Sequence, residues 1–532
     1  MRMGILYDSH RIKYLKLRGY FGLSFTSMEF MIFFPIVSIL YYLIPHKRRW
    51  IWLLIASYYF YMSWNPKYAI LMGTSTIITY LSGLLIEKAD KISDKKQAVR
   101  LKKWWVFLSF FSNLAILFLF KYYNFFGNVF TRIFSYFHVT IHVPSLDLLL
   151  PVGISFYTFQ ALSYTVDVYR KDIKAEKNLG KYALFVSFFP QLVAGPIEKS
   201  KDLLYQFDEE HFFDYNKVKN GLLLMLWGLF QKMVVSDRLA KVVDTVYNAP
   251  NKYKGFAIVI ATILFAFQIY CDFSAYSDIA RGAAEVMGFR LSKNFDAPYL
   301  SKSTKEFWRR WHITLGAWFK DYLYIPLGGN RCSKPRYYFN TMVVFIVSGL
   351  WHGAAANFVI WGTLHGIYRV TGEMLKPVKK SVIKKLKINI NTFSHKLFQV
   401  LITFILVDFA WIFFRANSFT DATTLIKNMF YFNPWIFTDG TIYKLGLSHK
   451  EFFIAMLGLF IVMLKDILGR RINFRIAFSK QSIVFRWFVY FSAIVFIMIF
   501  GIYGHGYEAK QFIYFQFSDG SALESSLLLA FL

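Results

Sequence analysis

Apolar runs of roughly 20 residues recur from about residue 30 onward, and about eleven of them can be marked off, each long enough to cross the hydrocarbon core of a bilayer. In lipid the backbone's polar groups must be satisfied within the segment, so these runs are expected to be helices. They are long and do not alternate apolar with polar positions, which excludes a lipid-facing barrel. Pro or Gly interrupts several of them, at 151–153, 190, 195–196 and 349. Such breaks are tolerated at membrane depth only where protein or water surrounds them, and they predict short, tilted or re-entrant helices around an internal cavity. No Gly/Ser-rich linker, low-complexity tract or fixed-period repeat separates the runs, so a single membrane domain is expected. Its parts are a basic N-terminal extension (1–27), a motif-rich core (28–375), a basic cytoplasmic loop (376–396) and C-terminal transmembrane helices of the same domain (397–532). The last of these runs fall near 398–414, 452–464 and 485–502.

Composition sharpens the class. With 56% hydrophobic and 18% charged residues over 532 positions, the chain is too apolar for a soluble enzyme and belongs in a bilayer. A formal charge of +30 would suggest nucleic acid in a soluble protein. Here Lys and Arg gather in short loops between apolar runs, the positive-inside pattern, so the expected surroundings are membrane lipid, with no nucleic acid partner. Lys47, Arg48 and Arg49 mark a cytoplasmic loop, 65–67 an external one, and Lys88 to Lys103 a cytoplasmic one. The stretch 127–147, with only Arg132, reads as external, and Arg170 to Lys181 as cytoplasmic. Arg2, Arg11, Lys13, Lys16 and Arg18 fall on the external side of this scheme. Either the orientation is inverted or the extension is atypical, as it would be if Met28 were the natural initiator. No small-residue cleavage site follows an apolar stretch there, so it does not read as a cleaved signal peptide. Two cysteines, Cys271 and Cys332, are too few for a disulfide framework or a zinc site.

The most informative segment for chemistry is 343–361, where one imidazole, His352, lies within a long run without formal charge. Ionisable groups inside a membrane are costly and usually face a cavity or a partner. Gly349, Gly353, Ala354, Ala355 and Ala356 surround it with small side chains that let a helix or a substrate approach closely. Desolvation disfavours imidazolium, so His352 is expected to be neutral, the form a general base requires. The alternative is a structural histidine hydrogen-bonded between helices.

A second constellation spans 306–331. On one helix, Trp308, Trp311, Leu315, Trp318 and Tyr322 would form an aromatic face, with Arg309, His312, Gly316 and Lys320 on an adjoining polar one. An interfacial amphipathic helix explains that pattern equally well. His312, one turn from Arg309, raises the functional reading, and Pro326, Gly328 and Gly329 must turn the chain where a pocket wall could form. Asp272, Ser274, Tyr276, Ser277, Asp278 and Arg281 make a polar island in an apolar span, with Asp278 and Arg281 spaced for an ion pair. Asp167, Tyr169 and Arg170 read as an interfacial anchor, and His365 as structural. Walker-type loops, His-Glu-x-x-His, Gly-x-Ser-x-Gly elbows and paired-Cys motifs are missing from the sequence.

Five ordered motifs together resemble the membrane-bound O-acyltransferase family, and within it the bacterial alginate O-acetylation branch. They are Pro-Val-Gly-Ile-Ser-Phe-Tyr-Thr-Phe-Gln at 151–160, Phe-Phe-Pro-Gln-Leu-Val-Ala-Gly-Pro-Ile at 188–197, Phe-Trp-Arg-Arg-Trp-His at 307–312, Asp-Tyr-Leu-Tyr-Ile-Pro-Leu-Gly-Gly-Asn at 321–330 and Gly-Leu-Trp-His-Gly at 349–353. The match runs over about 28–517, including Phe-Ile-Tyr-Phe-Gln-Phe at 512–517. The resemblance implies an all-α polytopic protein, a ring of tilted helices around a funnel or tunnel. It implies His352 as the essential catalytic residue and His312 as its lesser companion, with Trp308, Arg309, Trp351 and Asn330 as candidate substrate contacts. It further implies an acyl thioester such as acetyl-CoA as donor substrate, no bound cofactor or metal, and an extracytoplasmic partner of the SGNH type or a polysaccharide acceptor. A neighbouring branch D-alanylates teichoic acids with a carrier protein, and the extra C-terminal spans look more like the acetylation branch.

On this reading His352 removes the proton from an acceptor hydroxyl as it attacks the thioester carbonyl. An acyl-histidine relay is the alternative within the enzyme class. A transporter or flippase, with the histidine only lining a pathway, is the alternative outside it, although the internal symmetry common in transporters is not evident.

Overall fold

The computed structural model describes residues 22–503 except 147 and 149, together with residue 512. Residues 1–21 of the N-terminal extension and residues 513–517 of the late aromatic motif lie outside the described residues. Among those described, every regular element is a helix. Six helices are long and apolar enough to cross a membrane: Pro66–Ala89, Lys95–Tyr136, Tyr215–Tyr247, Phe256–Val286, Phe393–Arg415 and Ile483–Phe500. The shorter apolar helix Met28–Leu43 precedes them. The chain is therefore a multi-pass membrane protein. Sequence marked off about eleven apolar runs. Several of these fold as helices that are shorter or carry more polar positions, such as Ile154–Arg170, Lys334–His352 and Ala356–Met374. The stretch 127–147 read as an external loop begins instead with helix, which continues to Tyr136.

By internal contacts the chain forms two compact units. The first comprises Met1–Leu117, Pro151–Leu222 and Ala280–Leu291. Within it, Ile154–Arg170 is buried at every position over 154–165, which only a helix enclosed by protein can be. Its polar side chains are satisfied there: Gln160 Nε2 donates to Phe185 O at 2.6 Å, and the Ser109 and Thr165 hydroxyls meet at 3.0 Å. Asp167, read from the sequence as part of an interfacial anchor, is buried and accepts from Ser200 Oγ at 2.8 Å. At the end of Pro66–Ala89, Asp90 binds Lys102 at 2.6 Å and Lys171 at 3.2 Å.

The second unit comprises Phe118–Leu150, Leu223–Ile279 and Ser292–Leu532. Its part of the helix Phe256–Val286 carries most of the polar island seen in the sequence, and the structure supplies partners for Asp272 and Ser274. Lys232 Nζ lies 2.6 Å from Asp272 Oδ1 and 3.0 Å from Asp237 Oδ1, so a buried cation answers two buried carboxylates. Gln231 Nε2 donates to Ser274 Oγ at 2.8 Å, and Ser236 Oγ to Gln268 O at 3.2 Å. These donors come from Phe230–Ser236, a π-helical stretch whose widened turn differs from its α-helical flanks.

Candidate active site

His352 is the last residue of the helix Lys334–His352, and Gly353 is already extended. The chain re-enters helix at Ala356–Met374, so His352 caps one arm of a helical hairpin instead of lying mid-span. The arms approach closely because both are glycine where they cross. A Cβ on Gly349 would stand 2.2 Å from Phe358 O, and one on Gly362 would stand 2.3 Å from Phe345 O. No larger side chain fits either place without moving backbone, and small residues of this kind are how membrane helices pack tightly.

The His352 ring stands edge-on to Trp361 at 5.0 Å and to Phe414 at 5.3 Å, beside the ring of Trp351 at 4.9 Å. It is 6% exposed. Phe414 arrives on the helix Phe393–Arg415, whose Trp411 stacks on Trp361 at 5.7 Å. Each aromatic pair of this type contributes about 0.5–1.5 kcal/mol beyond simple burial. The imidazole is thus held in an aromatic box built from three helices.

His312 also meets Trp351, its ring 6.0 Å from that indole. Sequence placed it on a continuous helix with Trp308 and Trp318, whereas the structure breaks the helix there. Thr304–Arg310 ends, His312 takes a left-handed conformation at φ 45°, and Ile313–Phe319 begins. A left-handed backbone is costly for a β-substituted residue and persists only where the surroundings enforce it. Residues 294–296 do so here. Ile313 N donates to Asn294 O at 2.9 Å and Asp296 N to Arg310 O at 3.0 Å, so two backbone bonds straddle the kink. The Asn294 side chain adds a bond from Thr314 Oγ1 at 2.7 Å and donates to Ser277 Oγ at 3.0 Å. The kink turns the His312 ring onto Phe273 at 4.6 Å and buries it. His312 lies outside the apolar spans, and burial pushes its imidazole down to about 3, so it is uncharged at neutral pH.

The remaining site residues expected from sequence divide. Trp308 joins the cluster: its Nε1 donates to His365 Nδ1 at 3.2 Å, and its ring meets Trp361 at 5.7 Å. Trp351 is in ring contact with both imidazoles. Arg309 and Asn330 are exposed, and the structure does not bring them to the two imidazoles. The guanidinium packed inward at that helix is its neighbour Arg310, bound to Glu306 at 2.8 Å and Asp296 at 3.3 Å. His365 is fully buried as the acceptor for Trp308.

Two residues that sequence reasoning passed over stand at the base of His352. Lys121 Nζ donates to Trp351 O at 2.5 Å, and Tyr122 Oη to Leu350 O at 2.9 Å. The signal was a lysine in the apolar run over 105–126, an intramembrane charge that by default calls for an explanation.

Comparison with known proteins places this site in a family. The model of "MBOAT, membrane-bound O-acyltransferase family" matches residues 67–414, which contain both imidazoles. The chain is 38% identical over 417 residues to a probable alginate O-acetylase of Pseudomonas aeruginosa, covering 77% of this chain and 75% of that protein. It is 33% identical over 405 residues to a peptidoglycan O-acetyltransferase of Helicobacter pylori, covering 71% and 73%. A teichoic acid D-alanyltransferase of Streptococcus thermophilus is more distant, 28% identical over 262 residues, or 45% of this chain and 61% of that one. Apolar spans, buried imidazoles and a family match over most of the chain agree, and the chain belongs to the membrane-bound O-acyltransferase family.

Proposed function

We propose that this enzyme O-acetylates a cell-surface polysaccharide, taking acetyl from a cytoplasmic thioester, acetyl-CoA, and delivering it to an acceptor beyond the cytoplasmic membrane. The delivery is either to the glycan or to an extracytoplasmic partner of the SGNH type that then modifies it. The names of the alginate and peptidoglycan relatives support acetyl as the group and a glycan as the acceptor. The D-alanyltransferases match less than half of the chain, which makes D-alanyl transfer the weaker reading.

The observation that carries the reading is a pair of buried imidazoles, His352 and His312, both in ring contact with Trp351 within the span the family model matches. In the proposed chemistry His352 accepts the proton of the acceptor hydroxyl as its oxygen attacks the thioester carbonyl. The tetrahedral intermediate then collapses, the C–S bond breaks and the thiolate leaves, taking up a proton to become the free thiol. His312 is the companion imidazole, and Trp308 and Trp351 shape the reacting space. Arg309 and Asn330 are proposed as contacts for the polar parts of a substrate. An acyl-histidine at His352 is the alternative route.

The test uses cytoplasmic-face-out membrane vesicles carrying the full chain, supplied with radiolabelled acetyl-CoA. Transfer of label to retained glycan or protein is expected from the native chain and not from His352→Gln present at the same level. Transfer undiminished in that variant would sink the assignment. Label trapped on His352 with donor alone would select the acyl-histidine route.

A further inference from the structure

We propose that Lys121 and Tyr122 are positioning residues for acyl transfer, holding the end of the helix that presents His352. The inference rests on the reading of His352 as the reacting imidazole and adds to it the device that fixes that imidazole in place.

A helix that stops leaves the carbonyls of its last turn without intrahelical donors. Lys334–His352 stops at a demanding place, since Gly353 is extended and Ala355 is extended again before the next helix starts. Water or a capping loop would ordinarily satisfy those carbonyls. Here two neighbouring side chains do so: Lys121 Nζ reaches Trp351 O and Tyr122 Oη reaches Leu350 O, the carbonyls of the two residues before His352. Lys121 Nζ also lies 5.8 Å from the centre of the Trp351 ring, so one side chain engages both the carbonyl and the indole of the residue that touches both imidazoles.

The donor geometry has a local cause. Lys121 and Tyr122 end the π-helical stretch Phe118–Tyr122, from which the chain passes into Tyr123–Tyr136. A π turn carries an extra residue and re-aims the side chains around it, which is why such turns recur at functional sites. A lysine ammonium is costly to hold in an apolar run. The negative end of a helix dipole is one of the few places where that cost is offset by something the fold must satisfy in any case. The Lys121 amine and the helix end therefore satisfy one another, and the side chain held by the arrangement is His352.

The vesicle assay with radiolabelled acetyl-CoA separates positioning from bulk stability when kcat and KM are read for four variants of the full chain. Lys121→Met keeps the stem and loses the donor and the charge. It is expected to lower kcat about 100-fold, the cost of an ångström-scale misplacement, with KM for acetyl-CoA unchanged. Lys121→Arg keeps charge and donors and should recover most of that loss, which a merely structural lysine would not require. Tyr122→Phe, losing one neutral hydrogen bond, should lower kcat about fivefold, and it decides the matter if Lys121→Met fails to accumulate. His352→Gln runs beside them. Full activity in His352→Gln overturns the reading on which the inference rests. An inactive His352→Gln beside Lys121→Met or Tyr122→Phe at native kcat overturns the inference alone, as does a Lys121→Met loss that appears only in KM.

Discussion

The helices Phe256–Val286 and Ile483–Phe500 are both apolar enough to cross a bilayer, yet 72% of the first one's apolar window is buried in protein against 6% of the second's. In a soluble protein that difference would be written in hydrophobicity, because the outside is water. Here the outside is lipid, as apolar as a core, and the distinction passes to other residues. The enclosed helix buries Thr262, Gln268, Asp272, Ser274 and Ser277, each needing a partner from protein. The outer helix turns Val484, Phe488, Phe491, Met498 and Ile499 outward, and only Ile497 is buried. In this chain polar and small residues mark the inside, and large apolar residues are neutral about it. The hairpin around His352 obeys the same rule through Gly349 and Gly362.

The comparison can be tested from its inner end outward. His352→Gln should reduce acetyl transfer about a thousandfold, within the range general bases contribute, while leaving the amount of membrane-inserted protein unchanged; vesicle assay and immunoblot read the two quantities. Gly362→Val drives a side chain into Phe345 O and should cost roughly 3 kcal/mol, seen as a lower unfolding midpoint in detergent. On the same helix Gly372, with nothing near its Cβ position, should accept Ala with a gain of up to about 1 kcal/mol; equal effects at the two glycines would break the argument from close approach. Asn294→Ala removes the side chain that braces the His312 kink, with an expected loss of about 2 kcal/mol and a fall in activity that tracks it.

Smaller effects lie at the rim and on the lipid face. The hydrogen bond from Lys102, aided by Lys171, holds the Asp90 carboxyl below its ordinary value of 3.8. A depressed carboxylate stabilises the folded state above its ordinary pKa, and that contribution disappears as pH falls through the lowered one. Asp90→Asn should therefore destabilise by less than about 1 kcal/mol at pH 7 and lose its effect in acid, which detergent melts at the two pH values would reveal. Phe488→Leu on the outer helix should stay within about 0.5 kcal/mol of native; a core-sized loss there would show that this face packs against protein.

Much of this was legible from residue order. The apolar runs required helices, because lipid leaves the backbone no other partner. A lone histidine among Gly and Ala drew attention to 349–356, and the family motifs pointed to the same residue. What stayed hidden depended on partners distant in sequence. Periodicity carried the aromatic face straight through His312, since nothing in 306–322 announces a left-handed residue there. The break is imposed by Asn294 and Asp296, whose backbone bonds to Ile313 and Arg310 compete with a continuous helix. Arg309 and Arg310 are chemically identical in the sequence, and only packing directs Arg310 to Glu306 and Asp296 and leaves Arg309 exposed.

By itself, then, the sequence determined that this protein is helical, that it crosses a membrane repeatedly and that a lone histidine sits among small residues, because each of these follows from local chemistry in an apolar solvent. Only the tertiary structure decided which helix ends meet which side chains. Lys121 to Trp351, Lys232 to Asp272 and Asn294 to the His312 kink are long-range pairings, and a buried polar group takes its partner from whatever the fold brings within hydrogen-bonding distance.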